Sequence, residues 1–253
     1  MISLLVQTKQ TLHFSSLGIR LGRSLVAVVG MLDSFFFFPF FLGVRKLLSD
    51  MTRPKSATTH TDLVLRAREM GIGTKVVPNA SIMSGIGCTG LQLYSFGQTV
   101  SMVFFTENWK PSSYYDRIRE NVQLGFHTLV LLDIKVKEPS LEHLARGRIV
   151  YEPPRYMTVA QCASQMLETE AERKEDVYGP DSIAVGAARV GAADQKLVAG
   201  TLKELTEVEL GPPLHSLVLV GRNTHDLEKD YIREFAVSKE SFDASWQKRH
   251  GTS

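Results

Sequence analysis

From residue 58 onward the hydrophobic pattern switches repeatedly between a helical and a strand period. That switching confines the chain to an α/β architecture. Thr59-x-x-Asp62 reads as a capping box, and Leu63, Ala67 and Met70 follow at helical spacing before Gly71 stops the helix. Residues 75–77 read as a short strand, and a small-residue segment, SIMSGIGCTG (81–90), comes directly after it. Residues 99–105 are a second strand. Pro111, Ser112 and Ser113 open a helix through Tyr114, Arg117, Ile118 and Asn121 that Gly125 closes. Residues 127–134 form a continuous apolar run, as expected of a strand covered on both faces. Strands spaced by short helices predict a mostly parallel sheet.

The stretch 135–156 is too polar and proline-rich for a core element, so it reads as a linker and surface helix between two domains. Residues 157–167 then predict a helix with Thr158 as its N-cap, and 168–176 a solvated charged stretch. Residues 182–190 and 215–220 are two further strands, and 227–235 a final helix. Residues 238–253 read as a loose polar tail. The expected division is an apolar N-terminal segment (1–50), a first α/β domain (51–135) and a second one (136–253).

Composition matters most at the N-terminus. The first fifty residues hold five basic and two acidic side chains, and the remaining chain 24 basic and 25 acidic. Seven of the 13 Phe fall in this first piece. Residues 24–44 (SLVAVVGMLDSFFFFPFFLGV) match the length of a membrane-spanning helix. Asp33 and Pro39 oppose that reading, Asp33 by about 2.5–3.5 kcal/mol at a bilayer centre. A replaced segment joined to a cytosolic fold is the favoured expectation, and an anchor through 24–44 the alternative. The formal net charge of +2 excludes a patch-driven nucleic-acid binder. Two cysteines, Cys88 and Cys162, cannot build a disulfide framework and match no zinc spacing.

Segment 81–90 is the strongest candidate for ligand contact, because small residues after a strand let the backbone approach closely. A tight strand-to-helix turn explains the same spacing. It contains no GxSxG, and the chain has no GxxxxGK. His60, His127 and His215 each stand at the start of a helix or strand, where core or capping roles compete with ligand contact. Asp133 ends the long apolar run and is read as a cap slightly ahead of a ligand contact. Tyr94, Phe104, Phe105 and Trp109 follow core spacing. On these grounds the chain is a two-domain α/β protein with a cleft for a small organic ligand.

Several longer strings are more specific: ATTHTDLVLRAREMGI, NASIM followed by GLQLYSFG, HTLVLLDIKVKE, YEPPRYM, ARVGAADQK and GPPLHSL. In this order and spacing they resemble the diphthine methyl ester synthase family, from Ala57 to about Val220. The resemblance implies a two-domain tetrapyrrole-methylase-like fold with S-adenosyl-L-methionine between the domains. It implies a cytoplasmic methyltransferase of diphthamide biosynthesis, acting on the modified histidine of translation elongation factor 2. It leaves a homodimer open. Its cofactor contacts fall on Ser81, Ile82, Leu132, Val190 and His215. The implied chemistry is in-line attack on a methyl carbon, which needs alignment and desolvation, so no catalytic acid, base or metal ligand is named.

Upstream the resemblance stops. Residues 52–56 read Thr-Arg-Pro-Lys-Ser where the family carries a Gly-Asp-Pro loop and a further glycine. Arg53 stands in place of an aspartate near the cofactor, and Ser56 in place of a close-approach glycine. The first domain therefore reads as truncated at its N-terminal part, with an unpaired sheet edge at or beside 75–77. The alternative this leaves is a catalytically impaired chain that only binds, or is tethered to a membrane.

Overall fold

The computed structural model describes residues 2–8, 25–29, 59–78, 80–140, 143–144 and 146–250. It divides into two compact units, Met1–Ile82 and Met83–Ser253.

In the first unit, β1 (Ile2–Thr8), β2 (Leu25–Val29) and β3 (Gly73–Pro78) form a sheet of order β2-β1-β3. Both pairings are antiparallel, and β1 meets β3 from Ile2 opposite Pro78 to Gln7 opposite Gly73. Residues 75–77 are therefore paired on one side by the chain's own N-terminal strand, and β3 stands at the edge of this sheet among the described residues, as expected. Within the apolar run 24–44, Leu25–Val29 is a strand with every residue in the β1 register. The rest of that run lies outside the described residues, as do 52–56 with Arg53 and Ser56. No helix among the described residues is long and apolar enough to cross a membrane. Helix α1 (Thr59–Glu69) carries an Asp62–Arg66 ion pair at 2.8 Å and buries Ala67. Gly71, at φ +70°, ends it with a backbone bond to Arg68 O.

The second unit opens within α2 (Ile82–Gly85), and its elements follow as β4 (Val100–Met102), α3 (Ser113–Leu124) and β5 (Thr128–Leu132). A short antiparallel pair, β6 (Ile134–Lys135) and β7 (Arg155–Tyr156), precedes α4 (Val159–Arg173). Then come β8 (Ile183–Ala188), β9 (Lys196–Thr201) and α5 (Leu202–Leu205). The chain continues through β10 (His215–Leu219), α6 (Asp226–Arg233) and α7 (Lys239–His250).

The main sheet has the order β4-β5-β10-β8-β9. Here the expected parallel sheet is corrected: β4 and β5 run parallel, while β5–β10, β10–β8 and β8–β9 are antiparallel. Between β8 and β9 the physical reason is connection length. A parallel crossover needs a dozen or more residues, and the turn from Ala188 to Lys196 is too short for one. The sheet also crosses the expected domain boundary at residue 135. A division after residue 135 would separate β5 from its partner β10, whereas the compact units divide at Ile82/Met83.

Helices pack on this sheet by their 3.6-residue period. Tyr114, Tyr115 and Ile118 of α3 and Val159, Cys162, Ala163 and Met166 of α4 share one core with Val130, Ala184, Ala188 and Leu217. Thr158 caps α4 as expected: its side chain accepts from Gln161 N–H, while the Gln161 side chain accepts from Thr158 N–H. The helix runs on through the charged stretch to Arg173, whose guanidinium lies 4.3 Å from the Tyr115 ring centroid. The expected loose tail is corrected as well. Phe242 and Trp246, one helical turn apart, are buried on α7 and stack at 5.6 Å. Arg249 of the same helix bonds Asp181 at 2.6 Å.

Candidate functional site

Strand direction gathers the ligand-facing candidates of the second unit at one sheet edge. Met102 pairs with Leu132 at the carboxyl ends of parallel β4 and β5. His215 begins β10 opposite Ala188, the last residue of β8, and Ser216 pairs with Leu131. Leu132, His215 and Val190 therefore lie at the same edge, the carboxyl edge of β4, β5 and β8, where open α/β sheets bind ligands. Leu132 is buried, Val190 half-buried, and His215 9% exposed. Ser81 and Ile82, both half-buried, close the first unit.

The His215 ring is held in one orientation. Its Nε2 lies 3.1 Å from Gly211 O and 3.0 Å from Pro212 O, and since carbonyls only accept, Nε2 donates. In the neutral ring Nδ1 is then the acceptor, buried and without a hydrogen-bond partner among the described residues. An unmet buried acceptor is costly, so this atom points to a ligand donor.

Arg189 shapes the loop on the other side of Val190. At φ 50° it sits in the left-handed region, and its guanidinium bonds Leu210 O at 2.9 Å, Pro212 O at 2.6 Å and Asp194 O at 2.9 Å. The fork thus ties the turn after β8 to the segment that leads into His215. Gly85 approaches Val190 closely: a Cβ added at Gly85 would stand 3.2 Å from Val190 Cγ1. The small-residue segment is therefore more than a turn, because Gly85 in its first half lies against a candidate ligand wall.

A second anchor holds that segment from the opposite side. Glu228 of α6 is 4% exposed, and its Oε1 accepts from Gln92 N–H at 2.7 Å while Oε2 accepts from His225 N–H at 2.7 Å. Gly90 packs so closely on Tyr231 of the same helix that an added Cβ would lie 2.2 Å from its ring. Beneath them, His127 is fully buried, tilts against Phe96, and accepts from Gly221 N–H through Nδ1 at 3.0 Å. Its Nε2 faces Glu228 Oε1 at 3.6 Å, within ion-pair range but too long for a hydrogen bond.

Burial pushes the His127 pKa below its ordinary value, and the Glu228 carboxylate opposes this only in part. The folded state therefore favours the neutral ring. Its contribution to stability is full above the unfolded value of about 6.5 and is lost as pH falls through that region. Unfolding midpoints measured from pH 8 to 5 should fall below about pH 6.5 in the wild type. The fall should be shallower in His127→Gln, and parallel curves would exclude His127 as its source.

Other candidates resolve differently. Asp133 is a tie: its Oδ2 accepts from Phe104 N–H at 3.1 Å, and its carbonyl from Met157 N–H at 3.0 Å. Phe104 and Phe105 pack against the core as expected, but Tyr94 is 81% exposed and Trp109 55%, correcting their assignment to it. Arg189, Glu228 and Gly85 were not singled out from the sequence. A left-handed Arg carries no sequence signal, while the His225-x-x-Glu228 spacing of a capping box was there to be read.

Against known proteins, the model of the family described as Tetrapyrrole (Corrin/Porphyrin) Methylases matches residues 54–206. A diphthine methyl ester synthase of Aspergillus fumigatus is 81% identical over 198 residues, which is 78% of this chain and 70% of that one. Its counterpart in Emericella nidulans is 78% identical over 201 residues, covering 79% of this chain and 70% of its own. A crystal structure of a candidate diphthine synthase from Entamoeba histolytica is 49% identical, with a TM-score of 0.64 over 72% of this chain and 67% of that one. These likenesses support the methyltransferase and give no support to a protein that only binds. The chain belongs to the tetrapyrrole methylases and, within them, to the diphthine methyl ester synthase family of methyltransferases.

Proposed function

We propose that this chain methylates the modified histidine of translation elongation factor 2, using S-adenosyl-L-methionine and working in the cytoplasm. The observation that carries the cofactor reading is the sheet edge where Leu132 and Val190 flank the unmet Nδ1 acceptor of His215. This donor set fits the group, which needs apolar walls for its adenine and few polar contacts to orient it. When bound, it supplies a methyl carbon activated by the adjacent sulfonium. Leu132 and Val190 would exclude water from that carbon, and His215 Nδ1 would accept from a ligand amine or hydroxyl; Ile82 joins the proposed set by its place in the NASIM string. Ser81 belongs to the same set by its place at the head of the small-residue segment. The bonds from Arg189 to Leu210 O and Pro212 O hold the approach to His215 rigid, so its alignment does not have to form at the moment of reaction.

The test is mass spectrometry of elongation factor 2 that carries the unmethylated precursor, after incubation with the chain and cofactor. Added methyl mass on one histidine is expected, and no added mass would overturn the assignment. Ile82→Asp should keep the fold by circular dichroism and bind the cofactor at least tenfold more weakly in calorimetry, because it places a charge against an apolar group. Unchanged affinity in a folded variant would remove Ile82 from the site.

A further inference from the structure

We propose that the arm built from residues 134–140, 143–144 and 146–156 docks the protein substrate, receiving a surface with an apolar centre and an acidic rim. This rests on the methyl-transfer reading above. The arm leaves the sheet two residues after Leu132 and returns at β7, so it is rooted at the edge that carries the candidate cofactor residues.

Its base is built and its tip is not covered. At the base, Glu138 sits between Lys135 at 2.9 Å and Arg155 at 2.8 Å, and both cations lie over the Phe104 ring, at 5.8 and 5.6 Å. The ladder extends past β6 and β7 through Glu152 N–H to Glu138 O and Ser140 N–H to Val150 O, both 2.8 Å. Beyond it, Leu144, Ile149, Val150 and Tyr151 are 48%, 73%, 42% and 58% exposed. Four exposed large apolar side chains within the eight residues 144–151 of a hydrogen-bonded hairpin are unusual for a surface that meets only water. Tyr beside aliphatic side chains is also a composition that anchors protein interfaces.

Charge selects the occupant. Lys135 and Arg155 are spent on Glu138, but Lys137 and Arg148 are exposed and make no ion pair with a described residue. Two unpaired cations beside the apolar tip favour an acidic partner and disfavour a basic one. Size points the same way. A specific protein contact covers about 800 Å² on each partner, far more than the single histidine side chain that reaches the chemistry. A macromolecular substrate must find the rest of its contact outside the cofactor edge, and the arm is an exposed apolar surface joined to that edge.

Two double variants test this: Ile149→Asp with Tyr151→Asp, and Lys137→Glu with Arg148→Glu. Methyl transfer to elongation factor 2 should show KM raised at least tenfold in each, with kcat within twofold of wild type. Cofactor affinity by calorimetry should not change, and the wild-type KM should rise with salt, less so in the Lys137/Arg148 variant. Direct binding of elongation factor 2 without cofactor should weaken in parallel, and this measurement stands even if no methyl group is transferred. Unchanged binding and KM in both folded variants would overturn the arm as a docking surface. So would a change of oligomeric state by sedimentation, which would make the tip an interface between copies of the chain. Lost kcat and cofactor affinity at an unchanged KM would overturn it too, by making the arm a support of the cofactor edge.

Discussion

Glu228→Ala is expected to lower unfolding stability by about 3 kcal/mol, because two partly buried backbone donors lose their acceptor and each unmet donor costs about 1–3 kcal/mol. The donors are Gln92 N–H and His225 N–H, held by separate oxygens of one buried carboxylate. With an m-value of about 2 kcal/mol/M, the urea midpoint should drop by about 1.5 M. Glu228→Gln keeps one carbonyl oxygen and turns an amide toward the second donor, so it should lose about half as much. Equal midpoints for wild type and Glu228→Ala would show that water or rearrangement satisfies both donors.

The carboxylate also connects stability to the site. Glu228 fixes one end of the segment whose other end places Gly85 on Val190. Gly85→Val is accordingly expected to weaken cofactor binding at least tenfold while changing the urea midpoint little. Its Cβ would already stand 3.2 Å from Val190 Cγ1, and its γ-methyls would drive that side chain from its place. Gly85 is half-buried in a four-residue helix, so little core packing is at stake. Pairing Gly85→Val with Val190→Ala should restore much of the affinity by returning the space. If the double variant binds no better than Gly85→Val, the loss comes from the backbone of α2 and not from pressure on Val190. Calorimetry on the three variants separates these outcomes.

Much of this was legible in the chain before any coordinates. Thr158 and Gln161 spell out the start of α4, and Gly125 the end of α3, because caps are set by a few neighbouring residues. The run at 127–134 announces β5 because a strand buried on both faces needs apolar residues throughout. The candidate residues Leu132, Val190 and His215 were readable only through long matching strings. Their spacing alone carries no chemistry, and their grouping depends on the direction of three strands.

Errors in the reading came from pairing and from sparse apolar signals. Antiparallel β10 lies between β5 and β8, so the sheet is mixed and not mostly parallel. Two aromatics in a polar tail were enough to dock α7, because Phe242 and Trp246 fall on one face. By itself the sequence determined where helices and strands begin, which faces are apolar and which family the strings resemble, since each depends on nearby residues. Tertiary structure alone decided that Gly85 meets Val190, that Arg189 ties the loops around His215, and that Glu228 holds Gln92. Those contacts join residues up to 136 positions apart, and no local propensity encodes a partner at that distance.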